Sequence, residues 1–539
     1  AASASPERAS LLYLEAGWAF LEDDDPGAAA LAYEVLEPGW LPQEQLAGYH
    51  LLSARLSLIQ NDVPGAMTAL EQIPATELTT TRGLVTRSQL CALNKNFVCA
   101  LTLLIEAAGD NGRFNDQIWS YLNQTSGFSA QTRLDDSQST ANGWWLLHQQ
   151  MLTSFSLADQ QRRLQAWLVT HPTHPAAISL PSPLAALSAF EPEPRHAALL
   201  LPLSGPLSQA GESVRDGFIA ASLLAGADER FRVTIYDTDT QPLPLLYERL
   251  LGNNVDLLVG PLQKDLVADL IALNPEIPIL ALNYLEETES ARANVVQFGL
   301  AIEDEARAIA SRLRADGASR ILLLHNYDDW STRARRTLVD NWPHPITTQA
   351  FTDLRTVTEA LGTAMHVTDS RARKDQLNQI FGFDLEFLPR ARADLDAIVA
   401  LIDNGEANAL VPALKFHFAD HLPVYASSQV TRRSRASQIG ELTGFLVSEL
   451  PWFLTGDSLY ESLQEPFELD SNPFASLVAL GVDAFRIAER SRLTRSGGNL
   501  NMLGSTGALT LDEQGRIRRE LAWGRISRNG VQAAPGTGR

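Results

Sequence analysis

The chain reads as a multidomain protein: an all-α N-terminal domain built from repeats, then an α/β C-terminal domain of two lobes. Three observations carry that reading. Residues 1–179 keep apolar positions at helical spacing with no convincing strand, residues 180–196 are punctuated by Pro181, Pro183, Pro192 and Pro194, and residues 197–529 alternate short apolar runs with amphipathic segments. Apolar residues at a period near 3.6 mark helices that bury one stripe. Short apolar runs separated by single helices mark parallel strands covered on both faces through right-handed crossovers. Residues 530–539 are expected to form a flexible tail.

In the N-terminal part, helical spacing over 11–20 ends at Asp23-Asp24-Asp25, and the punctuation that follows returns. Asp25-Pro26-Gly27-Ala28 is echoed by Val63-Pro64-Gly65-Ala66 and, more weakly, by Asn96-Phe97-Val98-Cys99-Ala100. Aligned on Ala28, Ala66 and Ala100 the spacing is 38 and then 34 residues, close to the roughly 34-residue period of tetratricopeptide repeats. Residues 144–155 and 159–169 form a further helical pair, stopped at His171-Pro172-Thr173-His174-Pro175. Such pairs bury their apolar faces only by stacking, so a small solenoid is expected, against an irregular helical bundle as the competing arrangement. Cys91 and Cys99 lie in a segment that reads as one helix, where they would not meet, so two buried thiols are expected rather than a bridge. Residues 180–196 are expected to be a semi-rigid connector, because proline does not propagate a helix.

The C-terminal part opens with a strand at 197–203, a turn at Ser204-Gly205-Pro206 and a helix carrying Val214, Phe218 and Leu223. Strands follow at 231–236, 256–259, 277–282 and 295–298, with helices at 242–251 and 262–273 between them. A second series begins with a helix at 303–314, a strand at 320–324, a helix at 331–341 and a strand at 346–351. The block 369–392 is polar and reads as irregular, with Phe381, Phe383 and Phe387 inside it. Then come a strand at 395–402, a helix at 406–418, a strand at 422–425 and a helix at 474–487. A closing hairpin is expected from 509–511, a turn at 512–515 and one strand over 518–526.

Composition narrows the function. The chain has 539 residues, 45% of them hydrophobic and 20% charged, which is ample for several cores. A net charge of −21 argues against a nucleic-acid partner, since phosphate neutralisation needs a basic surface. Local basic clusters remain at Arg333, Arg335 and Arg336, at Arg371, Arg373 and Lys374, and at Arg432, Arg433 and Arg435; solvated faces are the expected reading. There is no apolar run of membrane-spanning length and no basic-plus-apolar leader, so the expectation is a soluble chain, cytosolic or processed from an exported protein.

Three stretches together are similar to one family. Residues 202–218, PLSGPLSQAGESVRDGF, with 388–401, LPRARADLDAIVAL, and 504–517, GSTGALTLDEQGRI, resemble the LpoA family of outer-membrane lipoproteins, whose C-terminal domain is similar to type I periplasmic binding proteins. The resemblance covers residues 196–527, and the helical N-terminal half matches in arrangement. It implies a non-enzymatic regulator that binds a bifunctional class A penicillin-binding protein and stimulates its transpeptidase. It further implies a periplasmic location at the inner face of the outer membrane, through a lipid anchor upstream of this chain, with peptidoglycan as a second partner. The alternative is a periplasmic solute-binding or sensing protein closing on a small ligand.

The residues themselves suggest no catalytic group, metal or cofactor. Gly205 and Gly211 flank a loop, but Gly211 is followed by Glu212 and Ser213 rather than the Lys-Ser/Thr of a phosphate cradle. His417 and His421 are four apart on an expected helix, yet Phe418 stands where a zinc peptidase needs Glu. Neither a nucleophile elbow nor a Ser/His/Asp set is visible. Asp328 and Asp329 read as caps of the following helix. In open α/β lobes ligands lie beyond the carboxyl ends of strands, which makes Ser204, Gly205, Gln263, Lys264, Asn283, Tyr284, Tyr327, Ser427 and Ser428 the ligand-cleft candidates. Amino-acid binders of the resembling class place small hydroxyl residues where this chain has Gln263 and Lys264, which weakens an amino-acid ligand and leaves Lys264 as an anion holder.

Overall fold

Three helix pairs open the chain: α1 (Pro6–Glu22) with α2 (Pro26–Glu34), α3 (Leu46–Ile59) with α4 (Val63–Leu70), and α5 (Thr81–Leu93) with α6 (Phe97–Ala108). They belong to a computed structural model that describes residues 5–109, 112–128, 134, 139–191, 193, 195–226, 231–285, 294–383, 386–387, 391–432, 439–456, 458–495 and 500–534. One turn geometry joins each pair. Asp24, Asn61 and Lys95 take left-handed φ of 60°, 61° and 57°, and the residue after each caps the second helix. Asp25, Asp62 and Asn96 accept from the N–H of Ala28, Gly65 and Cys99, satisfying donors that a helix start leaves open. The cap N–H of each returns to the first helix at 2.8 Å, on the carbonyls of Phe20, Ser57 and Cys91.

That turn corrects two expectations. Four residues after each cap the alanine buried to 0% exposure is Ala29, Ala66 or Ala100, not Ala28, so the first repeat is 37 residues long and the second 34. Cys91 and Cys99 are joined by a disulfide, Cα to Cα 5.8 Å. The expectation of free thiols assumed one continuous helix, whereas α5 ends at Leu93 and α6 folds back on it from Phe97.

The all-α part continues through α7 (Asn115–Gln124), α8 (Thr140–Leu152), α9 (Leu157–Thr170), α10 (Pro175–Ile178) and α11 (Ser182–Ala189). Helix α11 lies inside the stretch expected to be a connector. Pro181 is its N-cap and Pro183 falls in its first turn, where a missing N–H costs no helical bond. Pro192 and Pro194 lie outside the described residues. The chain divides into two compact units, one reaching Ser154 and including Ala158–Phe190, the other comprising Phe155–Leu157, Glu191–Arg495 and the described chain from Leu500.

The second unit holds two parallel sheets. The first lobe has β1 (Arg195–Leu201), α12 (Ser208–Leu224), β2 (Phe231–Asp237), α13 (Leu243–Gly252), β3 (Leu257–Val259), α14 (Lys264–Ala272), β4 (Ile279–Ala281) and β5 (Val295–Gln297). The second has α15 (Ile302–Ala315), β6 (Ile321–His325), α16 (Asp329–Asp340), β7 (Ile346–Ala350), α17 (Val357–Ala364), α18 (Val367–Phe381), β8 (Ala397–Leu401), α19 (Asn404–Phe416), β9 (Val424–Ala426) and β10 (Leu446–Glu449). The chain then adds α20 (Pro451–Thr455), α21 (Ser458–Gln464), α22 (Ala475–Arg495), a three-stranded sheet of β11 (Asn501–Leu503), β12 (Ala508–Leu511) and β13 (Ile517–Glu520), and finally β14 (Ala522–Ser527) and β15 (Gly530–Ala533).

Strand order is β2-β1-β3-β4-β5 in the first lobe and β7-β6-β8-β9-β10-β14-β15 in the second. Both lobes therefore run the doubly wound order 2-1-3-4-5, with β14 and β15 added antiparallel to the second. Three more expectations fail here. The single strand over 518–526 breaks at buried Leu521, so β13 and β14 serve different sheets. The block 369–392 is regular as far as Phe381, being the body of helix α18. The tail is strand β15 as far as Ala533; residues 535–539 lie outside the described residues.

The first lobe's core is closed by α22, which crosses α12 backbone to backbone. A Cβ at Gly217 would lie 2.0 Å from the Val478 carbonyl oxygen, and one at Gly481 would lie 2.1 Å from that of Val214. One turn on, Phe485 stands edge-on to Phe218 and Phe231 at 5.5 and 5.4 Å. Buried Asp483 accepts the N–H groups of Ser505 and Thr506 at 2.9 and 2.8 Å and the Thr506 hydroxyl at 2.7 Å. Among the described residues no helix is long and apolar enough to cross a membrane.

Candidate functional site

In each lobe the sheet order reverses between its first and third strands, so the crevice of interest lies beyond β1 and β3 and beyond β6 and β8. At the first, Asp237 ends β2 and accepts the Leu203 N–H at 3.0 Å and the Ser204 hydroxyl at 2.7 Å. Gly205 follows at φ 71°. Gln263 stands at the N-cap position of α14 without a side-chain capping bond, its buried Oε1 having no protein partner, and Lys264 is exposed in the first turn. Asn283 donates to the Leu262 carbonyl and accepts from the Tyr284 N–H, both at 2.9 Å.

Tyr284 is committed elsewhere. Its hydroxyl donates to the Ile517 carbonyl at 2.7 Å, and burial holds it above the ordinary phenol range. That bond is one of several by which the β12–β13 hairpin bridges the lobes. The Gln297 N–H donates to the Gly515 carbonyl at 2.8 Å and Arg516 donates to that of Leu285 at 3.1 Å, both on the first lobe. On the second lobe Arg519 pairs with Asp304 at 3.1 Å, both side chains 2% exposed, and donates to the Ala301 carbonyl at 3.0 Å.

At the second lobe's crevice two carboxylates of the chain take the donors. Glu305 of α15 accepts the Ser428 N–H at 2.6 Å, its hydroxyl at 2.9 Å and the Ser448 hydroxyl at 3.1 Å. Glu406 accepts the Asn326 amide at 3.1 and 3.0 Å and completes a capping box with Asp403. Ser427 is buried, its hydroxyl without a protein partner, while Tyr327 is exposed, edge-on to His325 at 6.3 Å. The nine candidates thus divide between the two lobes' loops, with the side chains of Ser204, Asn283, Tyr284 and Ser428 hydrogen-bonded within the fold. Sequence reasoning missed Glu305, Asn326, Glu406 and Glu449. Only Asp403-x-x-Glu406 had a local signal, as a capping box.

Glu449 ends β10 beside this cluster. Its oxygens accept the Leu450 N–H at 2.9 Å and the Thr431 hydroxyl at 3.0 Å. Burial, with Glu305 nearby, raises it from 4.5 to about 7. The folded protein therefore holds this proton more tightly than the unfolded chain does. The resulting stability is fully present below pH 4.5 and is lost as pH rises through about 7. Glu449→Gln is expected to flatten the fall in melting temperature across that window; parallel curves for variant and parent would refute the assignment.

His417 and His421 do not share a helix. Helix α19 ends at Phe416, and His417 is buried with Nε2 2.8 Å from the Thr358 carbonyl. No group of His, Cys, Asp or Glu suited to a metal occurs among the described residues. Of the basic clusters, Arg333 pairs with Glu303 at 3.3 Å and Arg371 lies over the Phe416 ring, while Arg433 and Arg435 fall outside the described residues.

Comparison with known proteins follows the same architecture. The model of the family described as "LppC putative lipoprotein" matches residues 1–529. The penicillin-binding protein activator LpoA of Vibrio cholerae serotype O1 is 27% identical over 532 residues, covering 94% of this chain and 87% of that protein. LpoA of Aliivibrio fischeri is 30% identical over 424 residues, covering 76% and 69%. Full-length LpoA from Haemophilus influenzae superposes with a TM-score of 0.55 at 20% identity, covering 97% of this chain and 95% of that one. The C-domain of H. influenzae LpoA, described as a regulator of PBP1A, gives 0.52 at 21% identity over 63% of this chain and 100% of its own. At these identities the two structures speak to fold: a helical N-terminal part followed by two α/β lobes.

Proposed function

Because the chain belongs to the LppC lipoprotein family, we propose that it is a non-enzymatic regulator of peptidoglycan synthesis that binds a bifunctional class A penicillin-binding protein and stimulates its transpeptidase. The observation that carries this reading is the match, across 94% of the chain, to a relative named as a penicillin-binding protein activator. The crevice supports it from another direction. Donors that could receive a small ligand are engaged by Glu305 and Glu406, and the β12–β13 hairpin ties the lobes together, which suits a docking body better than a receptor that closes.

An activator must bind the synthase's working arrangement more tightly than its resting one, and that difference sets the stimulation. The Cys91–Cys99 bond fits an oxidising compartment such as the periplasm. In this reading a lipid anchor upstream of the chain attaches it to the inner face of the outer membrane, with peptidoglycan within reach. The test is reconstitution: purified class A synthase is expected to make a larger cross-linked fraction when this protein is added. Unchanged cross-linking, with micromolar heats on titrating free amino acids, would instead favour the solute-binding reading.

A further inference from the structure

A crossover from β7 to β8 needs one helix, and α17 supplies it, with Val357, Ala360, Leu361 and Ala364 buried in the second lobe's core. The chain nevertheless makes a second helix before β8. Of the fifteen residues of α18, Val367 alone is buried. Helices of about this length are marginal in water unless an apolar face is packed, and the apolar face of α18 is turned to solvent. Leu377, Ile380 and Phe381 fall at i, i+3 and i+4, with Ile380 74% and Phe381 56% exposed. Phe383 continues the patch, its ring 6.0 Å from that of Phe381. Clustered exposed aromatics of this kind mark interaction sites, where single scattered apolar residues do not.

The charge around the patch says what would cover it. In a chain of net charge −21, α18 carries Arg371, Arg373 and Lys374 against Asp369 and Asp375, and Asp369 is engaged by His366 at 2.9 Å. Arg371 lies 5.2 Å over the exposed Phe416 ring, so cation and aromatic surface run together. A membrane surface rewards each cation by only about 1 kcal/mol, so a helix with one net positive charge is a poor anchor there. A protein groove with an apolar floor and an acidic rim satisfies both features.

We propose that α18, continued by Phe383, is the element that docks on the class A penicillin-binding protein. The Leu377-Ile380-Phe381 face seats in an apolar groove of that enzyme, and Arg371 and Arg373 meet acidic groups at its edge. The inference rests on the function proposed above and adds the surface that executes it.

The test uses the full chain in two forms, Ile380→Asp with Phe381→Asp, and Arg371→Glu with Arg373→Glu, binding to immobilised purified synthase. The apolar pair is expected to weaken binding about tenfold or more. The charge pair should slow association and flatten its dependence on salt. Both should melt like the parent, because the altered residues are exposed. Parent binding with both variants equal to it would overturn the docking surface and leave the proposed function standing; no binding by the parent would bring down both. Loss of sedimentation with phosphatidylglycerol vesicles at unchanged synthase binding would assign the patch to membrane instead. Loss of a parent dimer on gel filtration at unchanged synthase binding would assign it to a second copy.

Discussion

Gly481→Ala is expected to destabilise the second unit by about 3 kcal/mol, the upper end of what overpacking costs. In an exposed helix interior the same change stabilises by up to about 1 kcal/mol, because glycine is the poorer helix former. The sign reverses here because the added carbon would lie 2.1 Å from the Val214 carbonyl oxygen and 2.8 Å from the Phe218 nitrogen. Both are backbone atoms, which cannot swing aside as a side-chain tip can. The helices would have to separate, and Phe485 would lose its place between Phe218 and Phe231. Gly217→Ala, facing the Val478 carbonyl at 2.0 Å, should behave alike. Urea unfolding at matched protein concentration gives the number; a neutral or stabilising result would mean that α12 and α22 do not touch at these glycines.

Asp483→Ala is expected to cost about 3–5 kcal/mol, the range for breaking a buried ion pair from one side. The carboxylate is fully buried and organises the loop at Gly504-Ser505-Thr506-Gly507 through three short hydrogen bonds, with Arg486 3.4 Å away. Removing it strands two N–H groups and takes from buried Arg486 the carboxylate 3.4 Å away. Gly504 allows the loop to come this close, since a Cβ there would stand 2.6 Å from the carboxylate. Thr506→Ala removes one of the three bonds and should cost about 1–2 kcal/mol. If the two substitutions prove equally mild, the carboxylate does not hold the loop.

The parts of this fold legible in the sequence are those where one local pattern decides the outcome. Leu199-Leu200-Leu201 and Ile398-Val399-Ala400 could only be buried strands, and the alternation around them implied two wound lobes. Where two local patterns competed, the more conspicuous one misled: Pro-Gly-Ala drew the eye to Ala28, while the cap at Asp25 places Ala29 in the interface. The disulfide and α18 were hidden for opposite reasons. The first depends on a three-residue turn inside a run that keeps helical spacing. The second is a helix whose residues 368–376 are polar but for Ala372, so its apolar residues crowd the last turn and set no period along it. The crevice was hardest of all, because its partners are remote: Ser428 meets Glu305 across 123 residues.

The second lobe's sheet has a further implication for how the molecule is made. Strand β10 runs parallel to β9 on one side and on the other receives β14, more than seventy residues later in the chain. Until that late segment emerges from the biosynthetic machinery, a row of amide and carbonyl groups on β10 faces outward, a template for adventitious pairing with another nascent molecule. Maturation of this lobe is thereby coupled to synthesis of β14. Removal of β14 would reopen the same edge.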